Sequence, residues 1–353
     1  MKLRKILFKI THWEAWHYHV KYVPIAPAWL WFCIRARSFW FFTASNPTIT
    51  FGGFEGEGKD EIYKQLPVGS YPDTILVKKD IPFSEVEKYL YKSELKYPLV
   101  VKPDEGMMGY MFRRITHIDH LRHYHNTMPL NYLLQEWVDF PLEVSIFYTR
   151  MPDTKKGKVS GFLMKNMPEV TGDGRSTLYQ LIHRDPNLQY QLNEISKHHK
   201  SRFSIVLPPG EKFILSYASN RNQGAKLISL ANEIDERLVA FMDNISIDTK
   251  HFYYGRYDIK CDSIEKLKEG KDFKILEYNG AGAGIQHIYG NGMSLWKACT
   301  TILAHWNTLF QISHYNHSVK KVPYWEYKKG SEFLKKARHN LAILKQIDSD
   351  FPV

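Results

Sequence analysis

The stretch GRYDIKCDSIEKLKEGKDFKILEYNGAGAG, residues 255–284, constrains this chain more than any other. Apolar and polar residues alternate through YYGRYDIKCD and again through FKILEYNG, a period of two that predicts two β-strands. The intervening SIEKLKEGK is polar and carries a glycine, as a connection between paired strands should. Side chains two apart on a strand share a face, so Arg256 falls with Asp258, and Glu277 with Asn279. If the strands pair, Asp258, Glu277 and Asn279 converge into an all-oxygen cluster beside a guanidinium. Oxygen-only ligands suit Mg²⁺, which keeps several waters and takes one or two carboxylates plus substrate phosphates. The plainer alternative is a hairpin whose charges face water, and two upstream segments weigh against it.

SELKYPLVVKPDEGMMGYMFRRI (93–115) places an apolar strand, ending in Lys102, before a loop containing Gly106 and Gly109. A strand lysine beside such a loop can offer a point charge to phosphate while the backbone approaches closely. The loop fits neither common phosphate-loop pattern. NYLLQEWVDFPLEVSIFYTR (131–150) then reads as strand, short turn and strand. Its turn can present backbone groups to a purine edge, and Glu143 sits where a ribose hydroxyl needs an acceptor.

The order VVKP…EG..G, LLQEW…LEVSIF, GRYDIK…ILEYNG resembles the ATP-grasp superfamily, above all its D-alanine–D-alanine ligase branch, over roughly residues 55–310. The resemblance implies an α+β fold in which two subdomains sandwich ATP. It implies that Lys102 contacts the nucleotide phosphates together with the Gly106 and Gly109 loop. It implies that Gln135, Glu136, Trp137 and Val138 form the hinge that holds adenine, and that Glu143 binds the ribose, with one extra residue between hinge and Glu143. Asp258, Glu277 and Asn279 match the residues that bind two Mg²⁺ ions (Mn²⁺ substituting), and Arg256 matches an arginine near the transferred phosphate. GEGKDEIYKQLPVGSYPDTILV is similar to a family segment opening with a phosphate-contacting lysine, which gives that role to Lys59.

FLMKNMPEVTGDGRSTLYQLI (162–182) is similar to a segment of cyanophycin synthetases and fused glutathione synthetases, which contain ATP-grasp domains too. Gly172-Asp173-Gly174 reads as a tight turn and Ser176 as the N-cap of a helix. Free N–H groups there, with Lys165 and Arg175, would suit an anion; a capped surface turn is the alternative. The activity implied is an ATP-dependent ligation of a carboxylate to an amine or thiol through an acylphosphate, with Arg256 and Lys165 in catalytic positions. Small-molecule or peptide carboxylates and amines are the implied partners. Phosphoryl transfer asks mostly for positioning and charge neutralisation, and no Ser, Cys or His triad stands out. HIDHLRHYHN (117–126) lacks a paired metal-ligand spacing and reads as a solvated helix face. An ATP-binding regulatory or membrane-surface protein of the same fold, without ligase activity, is the competing reading.

Two departures matter. The asparagine of the ligases precedes a Ser-Pro-Gly-Met-type turn, whereas this chain reads NGAGAGIQHIYG (279–290), which puts a dipeptide product in doubt. Only about 55 residues precede the Lys59 segment, and they do not alternate strand and helix as a first-substrate domain does. Five of the nine Trp residues fall there, between Trp13 and Trp40, beside Arg35 and Arg37. The segment is no convincing secretory signal, and its most apolar run, Tyr22 to Ile34, is too short and proline-broken to span a bilayer. Its composition suits either an interfacial helix on lipid headgroups or an aromatic helix packed on the body.

With 44% hydrophobic residues the chain can bury a sizeable core, and its net charge of +11 favours acidic partners: ATP, an anionic substrate or anionic lipid. Nucleic acid is disfavoured because the cations are dispersed and no nucleic-acid motif appears. Cys33, Cys261 and Cys299 are too far apart in sequence to suggest a disulfide framework or zinc site, which suits a reducing cytoplasm, with a peripheral position at the membrane's inner face through residues 1–45 as an extension. A homodimer is compatible with all of this.

The organisation expected is 1–55 aromatic and basic segment; 56–85 lead-in helix and strand; 86–150 smaller subdomain; 151–310 larger subdomain; 311–353 basic amphipathic helix. AKLISLANEIDERLVAFMDN is expected to be one helix, with Leu227, Leu230, Ile234 and Leu238 as its buried stripe. FSIVLPPGEKFILSY is expected to be strand, turn and strand.

Overall fold

The computed structural model describes residues 13–348 apart from 17, 186 and 290. Its strands, in chain order, are β1 (Thr74–Val77), β2 (Leu99–Pro103), β3 (Arg113–Ile115), β4 (Tyr132–Glu136), β5 (Leu142–Thr149), β6 (Lys158–Asn166), β7 (Glu169–Thr171), β8 (Lys212–Ile214), β9 (Lys226–Ser229), β10 (Tyr254–Cys261) and β11 (Phe273–Asn279). They form a four-stranded sheet in the order β1-β4-β2-β3, a five-stranded sheet β11-β10-β5-β6-β9 and a β7-β8 pair, all antiparallel. The chain is therefore of the α+β class, with helices segregated to the outer faces of antiparallel sheets.

The smaller sheet packs one face on the helices Phe83–Lys92 and Ile118–Thr127. Val77, Leu99, Val101 and Leu134 from the strands meet Val86, Leu121 and Tyr124 from those helices. The alternate residues of the same strands, Lys102 and Gln135 among them, consequently turn the other way. The larger sheet buries Ile146, Tyr257 and Ile259 against Leu238, Met242 and Ile245 of the helix Glu236–Asp248. β4 and β5 follow one another in sequence but belong to different sheets, so residues 137–141 are the crossing between the two bodies.

The N-terminal aromatics pack on the body. Trp29 tilts against Phe41 at 5.0 Å and meets Trp306 edge-on at 5.0 Å, while Phe42 stacks on Phe54 at 4.3 Å. The helix Leu295–Ser318 supplies Trp306, Leu309 and Phe310 to that cluster. The final helix, Tyr327–Asp348, contributes Phe333 to the aromatic cluster and Leu344 to the core of the smaller sheet, and so bridges the two. Its Asp348 pairs with Arg113 at 3.0 Å.

Two expectations need correction. Residues 225–244 are not one helix: Lys226–Ser229 is β9, paired with β6, and the helix Glu236–Asp248 starts only at Glu236. The Asp235 carboxylate accepts the Leu238 N–H at 2.9 Å and caps it there. Leu227 and Leu238 are both buried, but on different elements. Within FSIVLPPGEKFILSY only Lys212–Ile214 forms a strand, beside β7, and Val206 makes an isolated bridge with Thr177. The connection between β10 and β11 folds into a short helix, Ile264–Lys268, capped by Ser263.

Candidate functional site

β10 and β11 pair with Arg256 opposite Asn279 and Asp258 opposite Glu277, so all four side chains share one face. A register shift follows Asp258, which places a bulge at this point. On the other side β10 runs beside β5, and β5 beside β6, bringing Glu143 and Lys165 onto the same surface. The Asp258 carboxylate accepts from Arg256 Nε and Nη2, both at 3.1 Å, and from Lys165 Nζ at 2.9 Å. All three residues are buried. Against the upward push of burial, the Arg256 and Lys165 cations hold the Asp258 carboxyl well below the usual carboxylate range. Lys165 also lies 3.8 Å from Glu143 Oε1, while Glu143 Oε2 accepts from Ser219 Oγ at 2.8 Å. Burial nonetheless leaves the Glu143 carboxyl raised.

Glu277 sits on the open side of this group. Its partner is Lys59, at 3.8 Å, whose Nζ donates to the Gly106 carbonyl at 2.7 Å. Lys102 reaches across from the smaller sheet: its Nζ donates to Tyr63 Oη at 2.8 Å and to the Leu276 carbonyl at 3.2 Å. Burial pulls its pKa down to about 8, with Glu277 and Glu143 opposing that pull. Beside Glu277 and Asn279 a cavity of about 80 Å³ is walled by Gly53, Glu57, Lys59 and Gly106. Two polar atoms on its walls, Asn279 Nδ2 and Glu57 Oε2, are buried with no hydrogen-bond partner among the described residues. Buried polar groups are nearly always satisfied, so this corner is shaped for something more to bond.

The crossing segment lies at the other end. Gln135 Nε2 donates to Thr74 Oγ1 at 2.7 Å, and the Glu136 carboxylate accepts the Asp73 N–H at 3.2 Å. Trp137 stands edge-on to Tyr217 at 5.6 Å, with Arg114 over its ring at 5.1 Å. The carbonyls of Val138 and Phe140 both accept from Lys260 Nζ, at 3.1 and 3.2 Å.

Sequence reasoning passed over Lys260, Tyr63, Ser219 and Glu57. Lys260 was legible: it lies two residues beyond Asp258 on the strand whose alternation singled out Arg256. Tyr63 and Ser219 arrive from distant segments, with no local signal.

Other sites fall differently. Gly109 packs on the 218–223 loop, where an added Cβ would come within 2.8 Å of Asn220 Nδ2. Gly106 lies against Pro103 and Leu344. Ser176 is not the N-cap: Thr177 is, in a capping box with Gln180. The Asp173 carboxylate takes the Ser176 hydroxyl and N–H, both at 2.6 Å, and the Arg175 N–H at 2.9 Å, so the turn supplies its own anion. Those bonds hold Asp173 well below the usual range. In 117–126, His125 is buried and bonded to Tyr132 Oη at 3.1 Å and near the Ile81 carbonyl. His120 and His123 face a larger cavity, about 450 Å³, beyond the edge strand β3. Among the described residues no group of three or more His, Cys, Asp or Glu side chains is arranged to hold a metal ion.

No known family's sequence profile matches this chain, and no curated protein matches it. Solved structures do. The chain is similar to a bifunctional glutathione synthetase from Pasteurella multocida, with 14% identity and a TM-score of 0.38, over 69% of this chain and 35% of that one. It is similar to a D-alanine–D-alanine ligase from Bacillus anthracis at 14% identity and a TM-score of 0.39, over 73% of this chain and 66% of the ligase, which is also known in complex with ATP. It is similar to the VanG D-Ala:D-Ser ligase from Enterococcus faecalis at 12% identity and a TM-score of 0.40, over 70% and 61%. The chain thus spans about a third of the synthetase's length and under two thirds of the VanG ligase's.

Proposed function

We propose that this chain is an ATP-dependent ligase, joining a carboxylate to an amine or thiol through an acylphosphate. The observation that carries the reading is one shared surface: Asp258, Glu277 and Asn279 side by side on β10 and β11, with Lys59, Lys102, Lys165 and Arg256 converging on them. Four cations around carboxylates form a place to neutralise a polyphosphate. The substrate carboxylate attacks the γ-phosphorus of ATP, and the bond to the bridging oxygen breaks to release ADP. The nucleophile then attacks the acyl carbon, the bond to phosphate breaks, and the nitrogen or sulfur gives up its proton.

In this reading Lys102 and Lys59 lie against the phosphates, Arg256 and Lys165 against the oxygens that carry charge as the phosphoryl group moves, and Gln135 to Val138 against the base. Glu143 receives the ribose. Asp258, Glu277 and Asn279 are the residues that would hold Mg²⁺, two ions, or Mn²⁺ in its place. The donor set fits a hard cation: all oxygen, with the Glu277 side chain one-third exposed. When bound, Mg²⁺ supplies charge neutralisation to phosphate oxygens. Small-molecule or peptide carboxylates and amines, a cytoplasmic setting, peripheral contact with the inner membrane face and a homodimer belong to the same proposal.

ADP release, measured against pools of amino acids, peptides and cell-wall or lipid precursors with hydroxylamine present, tests it. A pool that raises ADP release and yields a hydroxamate supports the ligase. ATP affinity with ADP release indifferent to every pool would favour a regulatory nucleotide-binding protein.

A further inference from the structure

The helix Ala26–Ala36, APAWLWFCIRA, is apolar nearly all round. One face is spent on the body: Ile25, Phe32 and Cys33 are buried, and Trp29 packs on Phe41 and Trp306. The opposite face is not covered. At about 100° per residue, Pro27, Leu30, Trp31 and Ile34 fall in a single stripe roughly 100° wide, the width of a helix's buried side, and Val23 lies in the 3-10 turn Val23–Ile25 just before it. All five are exposed in the folded chain, Val23 by 68%, Trp31 by 58% and Ile34 by 69%. A helix apolar on every side is normally enclosed, and a contiguous apolar patch marks an interaction site.

The patch continues past the helix end. Arg37 adopts a left-handed conformation, φ 53°, and the turn folds back so that Phe39, 60% exposed, meets Tyr327 at 5.6 Å. Around this apolar surface exposed cations outnumber acids: Arg35 and Arg37 at the helix end and Lys328 and Lys329 beside Tyr327, against Glu326. No Asp or Glu occurs anywhere between Glu14 and Glu55. Trp and Tyr rings with flanking cations are the composition that seats at the headgroup level of a bilayer.

We infer that this face docks on an anionic membrane surface, with Leu30, Trp31, Ile34 and Phe39 entering the headgroup boundary and Arg35, Arg37, Lys328 and Lys329 meeting lipid phosphates. Charge selects lipid over a second copy of the chain. A two-fold interface pairs this patch with a second copy of itself, which would set its excess of cations (Arg35, Arg37, Lys328 and Lys329 against Glu326) on the same excess. Docking is superficial: among the described residues no helix is long and apolar enough to cross a membrane. The inference names the surface and the lipid charge, and it stands whether or not the cleft performs ligation.

Flotation of the full chain tests it, with phosphatidylcholine vesicles, the same vesicles containing phosphatidylglycerol, and the double variant Trp31→Glu/Ile34→Glu. The native chain should float with the anionic vesicles, and moderate salt should weaken binding. The variant should lose at least about tenfold in partitioning for each apolar side chain withdrawn. Its circular dichroism melt should match the parent, since both positions face solvent. No flotation, flotation indifferent to phosphatidylglycerol, or equal flotation of the variant would overturn the inference. So would a dimer, seen by sedimentation, that the double variant dissolves.

Discussion

Asp258 and Glu277 face one another across a strand pair, yet losing each charge should have very different consequences for stability. Asp258 is buried and takes two bonds from Arg256 and one from Lys165, at 3.1, 3.1 and 2.9 Å. Asp258→Asn leaves both cations buried without their anion. Among the described residues, Arg256 then keeps the Gly284 carbonyl at 3.0 Å, and Lys165 has Glu143 at 3.8 Å. Breaking a buried pair in this way costs about 3–5 kcal/mol. Glu277 has a side chain one-third exposed and one ion-pair partner at 3.8 Å, while Lys59 retains the Gly106 carbonyl. Glu277→Gln should therefore cost less than about 1 kcal/mol.

Both substitutions should abolish Mg²⁺-dependent ADP release, because each removes a charge from the proposed metal face. Urea unfolding gives the stability difference, and ADP release gives the activity. The Asp258 contribution also has a defined pH behaviour. Its carboxyl is depressed in the fold, so the stabilisation is fully present above the unfolded value of about 3.9 and is lost only as pH falls through the lower folded value. The gap between native chain and Asp258→Asn should thus be the same at pH 7 and pH 5. Equal stability losses in the two variants, or a gap that shrinks by pH 5, would refute the assignment of the buried pairing. Undiminished turnover in Glu277→Gln would refute the metal assignment.

Two further outcomes follow from packing. Burial lowers His287 to about 4 and, with His287 adding its charge, His305 to about 3. The unfolded chain takes up those protons first, near pH 6.5, so stability should fall as pH drops from about 6.5 towards 4, by up to about 3 kcal/mol for His287 alone. Urea midpoints across that range measure the slope, and His305→Leu should flatten it; an unchanged slope would place the acid sensitivity elsewhere. At Gly282 an added Cβ would lie 1.9 Å from the Phe54 carbonyl oxygen, whereas at Gly284 the nearest atom is Arg256 Nη1 at 3.4 Å. Gly282→Ala should cost about 1–3 kcal/mol and depress turnover, with Gly284→Ala close to the parent in stability; similar melts for the two would contradict the packing.

What was legible in the sequence was local. The period-two alternation fixed the faces of Arg256, Asp258, Glu277 and Asn279, and the strand before Lys102 stood out as apolar. The helical reading of 226–235 failed because apolar spacing at Leu227, Leu230 and Ile234 fits a helix as well as an edge strand followed by a tight turn. Pairing with β6, a long-range contact, decided it. The third sheet escaped notice for the same reason, since β7 and β8 are three residues each and forty apart in sequence. Ser176 and Thr177 are both competent caps. The Asp173 carboxylate claimed the Ser176 hydroxyl, and only the folded turn shows that.

Residues 46–54 are tied down by Asn46, whose side chain accepts from the Tyr253 and Tyr254 N–H groups at 2.9 and 3.1 Å and donates to the Tyr254 and Gly52 carbonyls at 2.9 and 3.0 Å. Three of these bonds hold the loop against the start of β10, and the fourth closes the loop on itself. The loop in turn receives the turn after β11: the Ala281 and Gly282 N–H groups donate to the Gly52 and Gly53 carbonyls, each at 3.0 Å. Such contact is possible only without side chains, and a Cβ on Gly53 would sit 2.8 Å from the Gly280 Cα. Gly280 and Gly282 therefore serve backbone-to-backbone packing, and the corner beside Asn279 is finished by the aromatic N-terminal segment. Since Phe54 of that loop stacks on Phe42, and Trp29 of the lipid-facing helix packs on Phe42 and Phe54, a single run of rings links the proposed membrane face to the wall of the cleft.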